Sequence, residues 1–475
     1  MHEVRVVGVA RMTRSALVVL TVIFVAGAAS FGLAAPAPRT ITVDVLVVGG
    51  TPAGIAAAAG AARAGARVHI VEPRSKLGGP ITWAWLTTFD MNLSPDGIHL
   101  TRGVFSDYYR LLGLSFDLEE ATDKLKWAVY RERLVNVTEN APLVRPLLEG
   151  GRVIGAEFED RGFDRPLIVQ AKITIDATDD GDFATAAGVP YILGRDGLDG
   201  QRWMQPATLI FRLSGVGWDE LTAAIMARRN DDRALWGVNG KAAWGFWEAM
   251  RGYKPTQPDA GVLGLNLALQ RDGSVLVNTL QIFRVDGTVP ASLADGMAKA
   301  TRELPHLVQF MRTMIPGLSQ AQLVDHAPEL YVRETRHVAG VQTLTGTDIL
   351  RQRIFWDRIA VASYPIDIHP YRPTWTSPHP PVRYVYTIPL KSLIPRTGDG
   401  LLVASRAFSA TSEAAGSARV IPTTMALGQA AGVAAAICAK EKCTPADLAR
   451  SPALVQKVQQ ALLTQGAYLG PSPMP

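Results

Sequence analysis

Short apolar runs alternate with stretches of helical period from Ile41 to about Pro190. Val45 to Val48 is an unbroken apolar run, the pattern of a strand covered on both faces. Gly49, Gly50 and Gly54 punctuate the turn behind it. Ala56 to Ala64 is rich in good helix formers and nearly free of bulk, so a helix here can lie very close to a sheet. Gly65 marks its end. Val68 to Val71 forms the next strand, and Glu72 closes it. Further on, Ser106 to Gly113 has helical character. "VRPLLEGGRVIGAEFED" reads as a hairpin turning at Gly150 and Gly151. Ile173 to Ile175 is a strand, and after a polar turn a short helix starts at Asp182. Alternation of this kind predicts an α/β fold with a parallel sheet.

The texture changes between about Ile192 and Pro373. Tryptophans become frequent: Trp203, Trp218, Trp236, Trp244, Trp247 and Trp356, with Trp375 just beyond. Helical segments (Trp218 to Arg229, Leu293 to Ile315) mix with strands (Ala207 to Leu213, Ser274 to Val277). The segment is expected to hold a mixed sheet with helices, its aromatics serving the core before any substrate. From Tyr386 the first texture returns, with a strand at Leu401 to Ala404 and a long Ala/Gly-rich helix from near Pro422. The tail after Asp447 adds one helix and a Pro-rich end. A chain that leaves one domain and comes back to it implies a discontinuous Rossmann-like α/β domain carrying an inserted α+β substrate domain. The expected boundaries are an N-terminal leader over 1–38, the nucleotide domain over 39–190 and 376–448, the insert over 191–375, and a tail over 449–475.

The leader stands out. Ala16 to Ala35, "ALVVLTVIFVAGAASFGLAA", carries no charge, and Arg11 and Arg14 precede it. That composition predicts an export signal and a periplasmic or extracellular protein. Its length equally suits a single anchor in the inner membrane with the arginines on the cytoplasmic side. There is no twin-arginine pair. The two cysteines, Cys438 and Cys443, flank a helix end and read either as a disulfide of an oxidising compartment or as two unpaired thiols. The net charge of +5 is diffuse, without the basic stripe and interleaved aromatics that nucleic-acid binding requires.

A glycine-rich turn between a strand and a helix suits a diphosphate. The helix N-terminus offers unpaired N–H groups and a partial positive charge, and glycine lets the backbone approach the ligand. An acidic residue some twenty positions on takes ribose hydroxyls. Gly49, Gly54 and Glu72 stand where this needs them, with Thr51 in place of the usual middle glycine and Pro52 in the first helical turn. The Thr51 hydroxyl is a candidate donor to a phosphate oxygen. The alternative is an ordinary βαβ unit whose glycines only ease packing.

For chemistry, "SYPIDIHPYRP" places Asp367 and His369 two residues apart, on one side of an extended segment. Histidine titrates near neutral pH and suits proton transfer; a structural Asp–His contact is the alternative. "YVRETRHVAG" holds Arg333, Glu334, Arg336 and His337, either an anion clamp or a salt-bridged strand. His99, His306 and His326 are isolated. No cluster has metal-ligand spacing, so no metal is expected. Gly-x-Ser-x-Gly, a P-loop lysine, Cys-x-x-Cys and a second strand–Gly-turn–helix unit for a nicotinamide are all missing.

Taken in order, "DVLVVGGTPAGIAAAAGAARAG", "RSKLGG", "TIDATDDGDFATAAGVP", "YVRETRHVAG", "SYPIDIH" and "YTIPLKSLIPRTGDGLLVASRAFSATSEAAGSARVIPTTMALGQAAGVAAAI" resemble the bacterial FAD-dependent oxidoreductase family, whose founding fold is that of glutathione reductase. The resemblance runs from Asp44 to Ile437. It implies FAD in an extended form across the strand ends. Gly49, Gly50, Thr51, Pro52, Ala53 and Gly54 would surround the pyrophosphate, and Glu72 would take the adenosine ribose. Leu77, Gly78 and Gly79 would pass beside the flavin side. Ala177 and Thr178 would form the second shoulder of the adenosine site. Ser405 and Arg406 would meet the pyrophosphate and ribityl chain. Pro422, Thr423 and Thr424 would open the helix that points at the flavin pyrimidine, where its dipole stabilises the reduced ring. The family usually has glycine where Thr51, Asp179 and Ser405 stand. The implied activity is oxidation or reduction of a small organic substrate by hydride transfer to or from flavin N5, with Asp367 and His369 handling the proton. Electrons would be exchanged with oxygen, a quinone or a small carrier, the acceptor or donor being unknown. The alternative is an FAD-binding protein without turnover, a scaffold or carrier.

Overall fold

The first strand, β1 (Arg39–Val48), alternates between solvent and protein at its start and is buried from Val45 onward. Only its second half is covered on both faces, which explains the unbroken apolar run there. The structure is a computed structural model that describes residues 37–195, 204–228, 236–369, 371 and 382–471. The leader read above as a signal or anchor, and Trp203 and Trp375, lie outside the described residues.

After β1 come α1 (Pro52–Arg63), β2 (Val68–Val71), α2 (Val104–Leu112), α3 (Leu118–Tyr130) and β3 (Val135–Thr138). The three strands pair in parallel in the order β3-β2-β1. β4 (Leu143–Glu149) and β5 (Arg152–Asp160) form the hairpin at Gly150 and Gly151, and β6 (Arg165–Asp176) follows. β6 is much longer than the stretch its apolar run marks. Along one edge it pairs in parallel with β1. Along the other, its first half takes β5 antiparallel and its last residues take a strand from the far end of the chain. A short α4 (Asp182–Ala186) leads to β7 (Tyr191–Leu193).

The second sheet is built from β8 (Ala207–Ser214), β9 (Gly237–Asn239), β10 (Ala242–Gly245), β11 (Ala260–Leu269), β12 (Val275–Ile282) and β13 (Gln322–His326), with α5 (Trp218–Arg228), α6 (Trp247–Arg251) and α7 (Pro290–Met314). Its order is β13-β8-β12-β11-β10-β9. Every described pairing in it is antiparallel, so the expected mixed sheet is corrected. One face of the sheet packs Leu209, Phe211, Leu265 and Val277 on Leu304 and Met311 of α7, a core separate from that around α1.

β14 (Arg336–Val338) pairs with β7. Then follow α8 (Gly346–Leu350), β15 (Arg358–Ala362), β16 (Tyr386–Pro389) and β17 (Leu401–Val403), and β17 rejoins the first sheet beside the end of β6. The chain closes with α9 (Ser412–Ala418), α10 (Ile421–Glu441), α11 (Pro445–Arg450) and α12 (Pro452–Thr464). After Asp447 the one expected helix is α12, opened by Pro452, which a first helical turn tolerates; α11 begins earlier, at Pro445. The fold is a discontinuous Rossmann-like domain with an α+β insert.

Among the described residues, α10 is the one helix long and apolar enough to cross a membrane, and it is buried in protein. Its partner is α1. A Cβ at Gly428 would stand 2.0 Å from the Ala53 carbonyl oxygen, and one at Gly432 would stand 2.0 Å from that of Ala57. Four residues along one helix match four along the other, so the two run parallel and bring their N-termini to the same end. Cys438 on α10 and Cys443 just after it are free thiols, and burial pushes that of Cys438 up.

In an open helix, Gly→Ala gains about 1 kcal/mol. Gly432→Ala should instead lower stability by about 1–3 kcal/mol, since the methyl group meets rigid backbone. The midpoint of urea unfolding will show the sign.

Candidate active site

The turn after β1 is shaped for close approach. Gly49 has φ +101°, and a Cβ on it would lie 2.7 Å from the Ala177 carbonyl oxygen. A Cβ on Gly54 would lie 1.9 Å from the carbonyl oxygen of Gly49. Thr51 needs no glycine geometry, having φ −67° and ψ 170°. Its hydroxyl donates to the Ala177 carbonyl at 2.8 Å and accepts from the Gly54 amide at 3.2 Å. It therefore caps α1 and ties β1 to the end of β6, which corrects its reading as a donor to phosphate. Its side chain still borders the crevice, together with Pro52 and Ala53.

Glu72 is fully buried. It accepts from the Gly50 amide at 2.6 Å and from the Arg74 amide at 3.0 Å. Burial pushes its carboxyl up to about 7, against the pull of Arg74 and these two amides. Leu77 rests on Gly50, whose carbonyl accepts from the Gly78 amide at 2.7 Å. Gly79 has φ +48° and sits between Thr51 and Asp179. The amides of Gly49, Gly50 and Gly54 and the Glu72 carboxylate are all bonded within the protein, so what fits the FAD diphosphate is the N-terminus of α1, where Thr51, Pro52 and Ala53 border the crevice.

The opposite wall comes from the returning chain. Ser405, Arg406, Ile421 and Thr424 line the crevice across from Thr51, Pro52 and Ala53. Arg406 donates to Asp180 at 2.7 Å and lies 3.7 Å from Asp179, so the carboxylate standing in place of a glycine is paired within the crevice wall. Pro422 and Thr423 belong to the first turn of α10 but not to the crevice lining: Thr423 accepts from the Asn92 amide at 2.8 Å, inside the protein. Ala177 is buried, and the Thr178 hydroxyl is spent on Asp176 and the Asp182 amide.

Beyond the crevice lies a cavity of about 170 Å³. Leu86, Tyr331, Arg333 and Arg419 line both spaces. Asp367 and His369 sit on the cavity wall in a segment with no regular secondary structure. Their side chains meet, His369 Nε2 donating to Asp367 at 3.2 Å. The other ring nitrogen, Nδ1, accepts from the Gln281 amide at 2.6 Å. The imidazole is thus neutral, and burial with Arg333 nearby pushes its pKa down to about 4. Arg419 donates to the same Asp367 carboxylate at 3.0 Å and to the Tyr331 hydroxyl at 2.9 Å. Burial opposes ionisation of Asp367, but His369 and Arg419 outweigh it and hold the carboxyl well below its usual range.

"YVRETRHVAG" divides between the two roles weighed for it. Arg333 reaches the cavity, while its Nη1 is anchored by Pro206 and Thr208. Glu334 and His337 pair with each other inside the protein, and Arg336 pairs with Asp182. Sequence reasoning did not find Asp90, Tyr331, Tyr364 or Arg419. Tyr331 and Tyr364 stand inside the two quoted motifs and Arg419 just ahead of α10, whereas Asp90 had no local signal. Trp244, read first as a core residue, lines the cavity, as does Trp85.

A buried carboxyl with a raised pKa favours the folded state in its protonated form. The FAD-free chain should therefore lose stability as pH rises from about 4.5 to 7, the unfolded and folded values of Glu72. Asp176, also pushed up to about 7 by burial, adds to the same trend. Glu72→Gln should flatten the slope in part, leaving the share of Asp176. Urea unfolding across that pH range tests this.

The family described as FAD dependent oxidoreductase matches residues 44–462. No match was found among the curated proteins. Among solved structures, the chain is similar to a geranylgeranyl bacteriochlorophyll reductase-like protein from Thermoplasma acidophilum, with 15% identity, a TM-score of 0.46, and coverage of 90% of this chain and 85% of that one. It is also similar to the myxobacterial chondrochloren halogenase CndH, at 15% identity, TM-score 0.38, and 64% and 67% coverage. A third is p-nitrophenol 4-monooxygenase PnpA from Pseudomonas putida DLL-E4, at 13% identity, TM-score 0.34, and 64% and 70% coverage. The family match takes in the glycine turn, both crevice walls and the cavity together, and the chain belongs to the FAD-dependent oxidoreductase family.

Proposed function

We propose that the cavity holds a small polar organic molecule for oxidation or reduction, with hydride passing to or from N5 of FAD. The observation that carries this reading is the shared wall: Leu86, Tyr331, Arg333 and Arg419 border both the crevice and the cavity. A substrate placed there shares these four residues with the crevice. Bound FAD supplies the hydride acceptor or donor. The chain's own task is to orient the substrate and to move a proton.

Asp367 and His369 are the pair proposed for the proton. His369 is uncharged at neutral pH and can accept; Asp367 beside it stabilises the imidazolium that results. Both ring nitrogens have partners in the resting protein, so Gln281 must release Nδ1 when the proton arrives there. Arg419 holds Asp367 in place and is a positioning residue. Electrons then pass to or from an oxidant or reductant outside the chain.

His369→Ala should slow anaerobic flavin bleaching by substrate about a hundredfold or more, the range for loss of a general base. Bleaching at the parent rate would remove His369 from the mechanism. The imidazole must be neutral to accept, so kcat/KM should hold down to acid pH and fall only as pH drops through about 4. A fall centred near 6.5 would mean that the imidazole titrates as in water.

A further inference from the structure

We propose that the substrate is neutral and polyhydroxylated, a single sugar or cyclic polyol ring, with Trp85 as its stacking platform; this rests on the oxidoreductase reading above.

The first observation is charge balance. The charged groups lining the cavity are Asp90, Asp367, Arg333 and Arg419, two of each sign, and His369 beside them is uncharged. Asp367 is already joined to Arg419, and the Tyr364 hydroxyl donates to Asp90 at 3.1 Å. A site for an organic ion would show an excess of the opposite sign, which focuses the field on the ligand. Donors and acceptors in equal supply instead suit hydroxyl groups, which both give and take hydrogen bonds.

The second observation is the floor. The cavity lies on the sheet face opposite the Leu265–Val277 core. On that face Trp244, Asn266 and Asn278 form a row across β10, β11 and β12, as direct cross-strand partners. Two amides and an indole share this face with Ile210, Ala268 and Leu276, a mixed polar and apolar floor. Planar amides match vicinal hydroxyls, and an aromatic face matches the C–H face of a sugar ring.

The third is strain. Trp85 has φ +60°, a conformation that a bulky residue adopts at a cost of about 1–2 kcal/mol. Strain of this kind persists where a side chain has to be aimed. The Arg212 guanidinium lies 5.2 Å from its ring centroid and helps fix it, while the indole lines the cavity. At about 170 Å³ the space is below the range of about 300–1,000 Å³ for drug-sized ligands and matches a single ring.

The test uses the full chain loaded with FAD, loading being read from flavin absorbance. Glucose, galactose, mannose and myo-inositol are titrated beside gluconate, glucuronate and glucosamine. The readouts are tryptophan fluorescence and the flavin difference spectrum. At least one neutral member should bind ten times more tightly than every charged one. Trp85→Ala should weaken it tenfold or more, and Trp85→Phe should restore much of the loss. Trp244→Ala, on the sheet floor, gives a second reading if the Trp85 variants fail to fold. Equal or tighter binding of a charged member, no binding of any neutral one, or unchanged binding in both alanine variants would overturn the proposal. A chain that takes up no FAD would overturn the oxidoreductase reading instead, so the two failures are told apart.

Discussion

The contact between α1 and α10 sets the geometry of everything around the crevice. Two helices normally lie 8–10 Å apart because side chains separate them. Here Gly428 and Gly432 leave no side chain to keep α10 off the α1 backbone. A parallel pair at that distance delivers two N-termini, and two partial positive charges, to the same spot. Thr51, Pro52 and Ala53 reach the crevice from one helix, Ile421 and Thr424 from the other. An anionic cofactor spanning them meets a field fixed in the backbone, which needs no charged side chain to maintain it. Ala56 to Ala62 are small for the same reason that the glycines are glycine: bulk at this seam would separate the helices and misplace both termini.

How much of this was legible in the sequence follows from how local each signal is. The turn from Val48 to Gly54 declares itself, because close packing and positive φ demand glycine at fixed offsets. The return of β17 to the sheet was visible as a recurrence of Ala/Gly texture. The length of β6 was not, since Arg165 to Gln170 faces partners of mixed character and shows no clean period. Nor was the antiparallel order of the second sheet, which depends on pairings between segments far apart in the chain. The cavity was the least legible part. Trp85, Asp90, Asn266, Tyr331 and Arg419 come from separate elements and share no spacing. Asp367 and His369 were readable only because they happen to be neighbours.

The departures from the family's glycines look less disruptive once placed. Thr51 occupies an ordinary extended conformation, so its Cβ adds no strain, and its hydroxyl does the work of a helix cap. Ser405 turns its hydroxyl toward the Ala407 amide at 3.2 Å. Burial pushes the Asp179 carboxyl up and so disfavours its charge, while Arg406 and Arg74 pull the other way. Arg74 is itself held by Glu329, through two bonds of 2.8 and 2.9 Å that join the first domain to the insert. The extra carboxylates here are woven into the seam between the two parts of the chain.

That seam also explains why charge is arranged so differently on its two sides. Toward the crevice, positive ends of helices face a diphosphate, and net positive potential is useful. Toward the cavity, the Arg419 guanidinium is set against the Asp367 carboxylate and Arg333 is anchored by Pro206 and Thr208, and Tyr331 and Arg419 stand at the boundary with a hydrogen bond between them. Arg419 is committed to Asp367 and Tyr331, so its charge is balanced at that boundary. In the proposed mechanism, His369, uncharged and facing Asp367, would accept its proton on a nitrogen that does not already carry one.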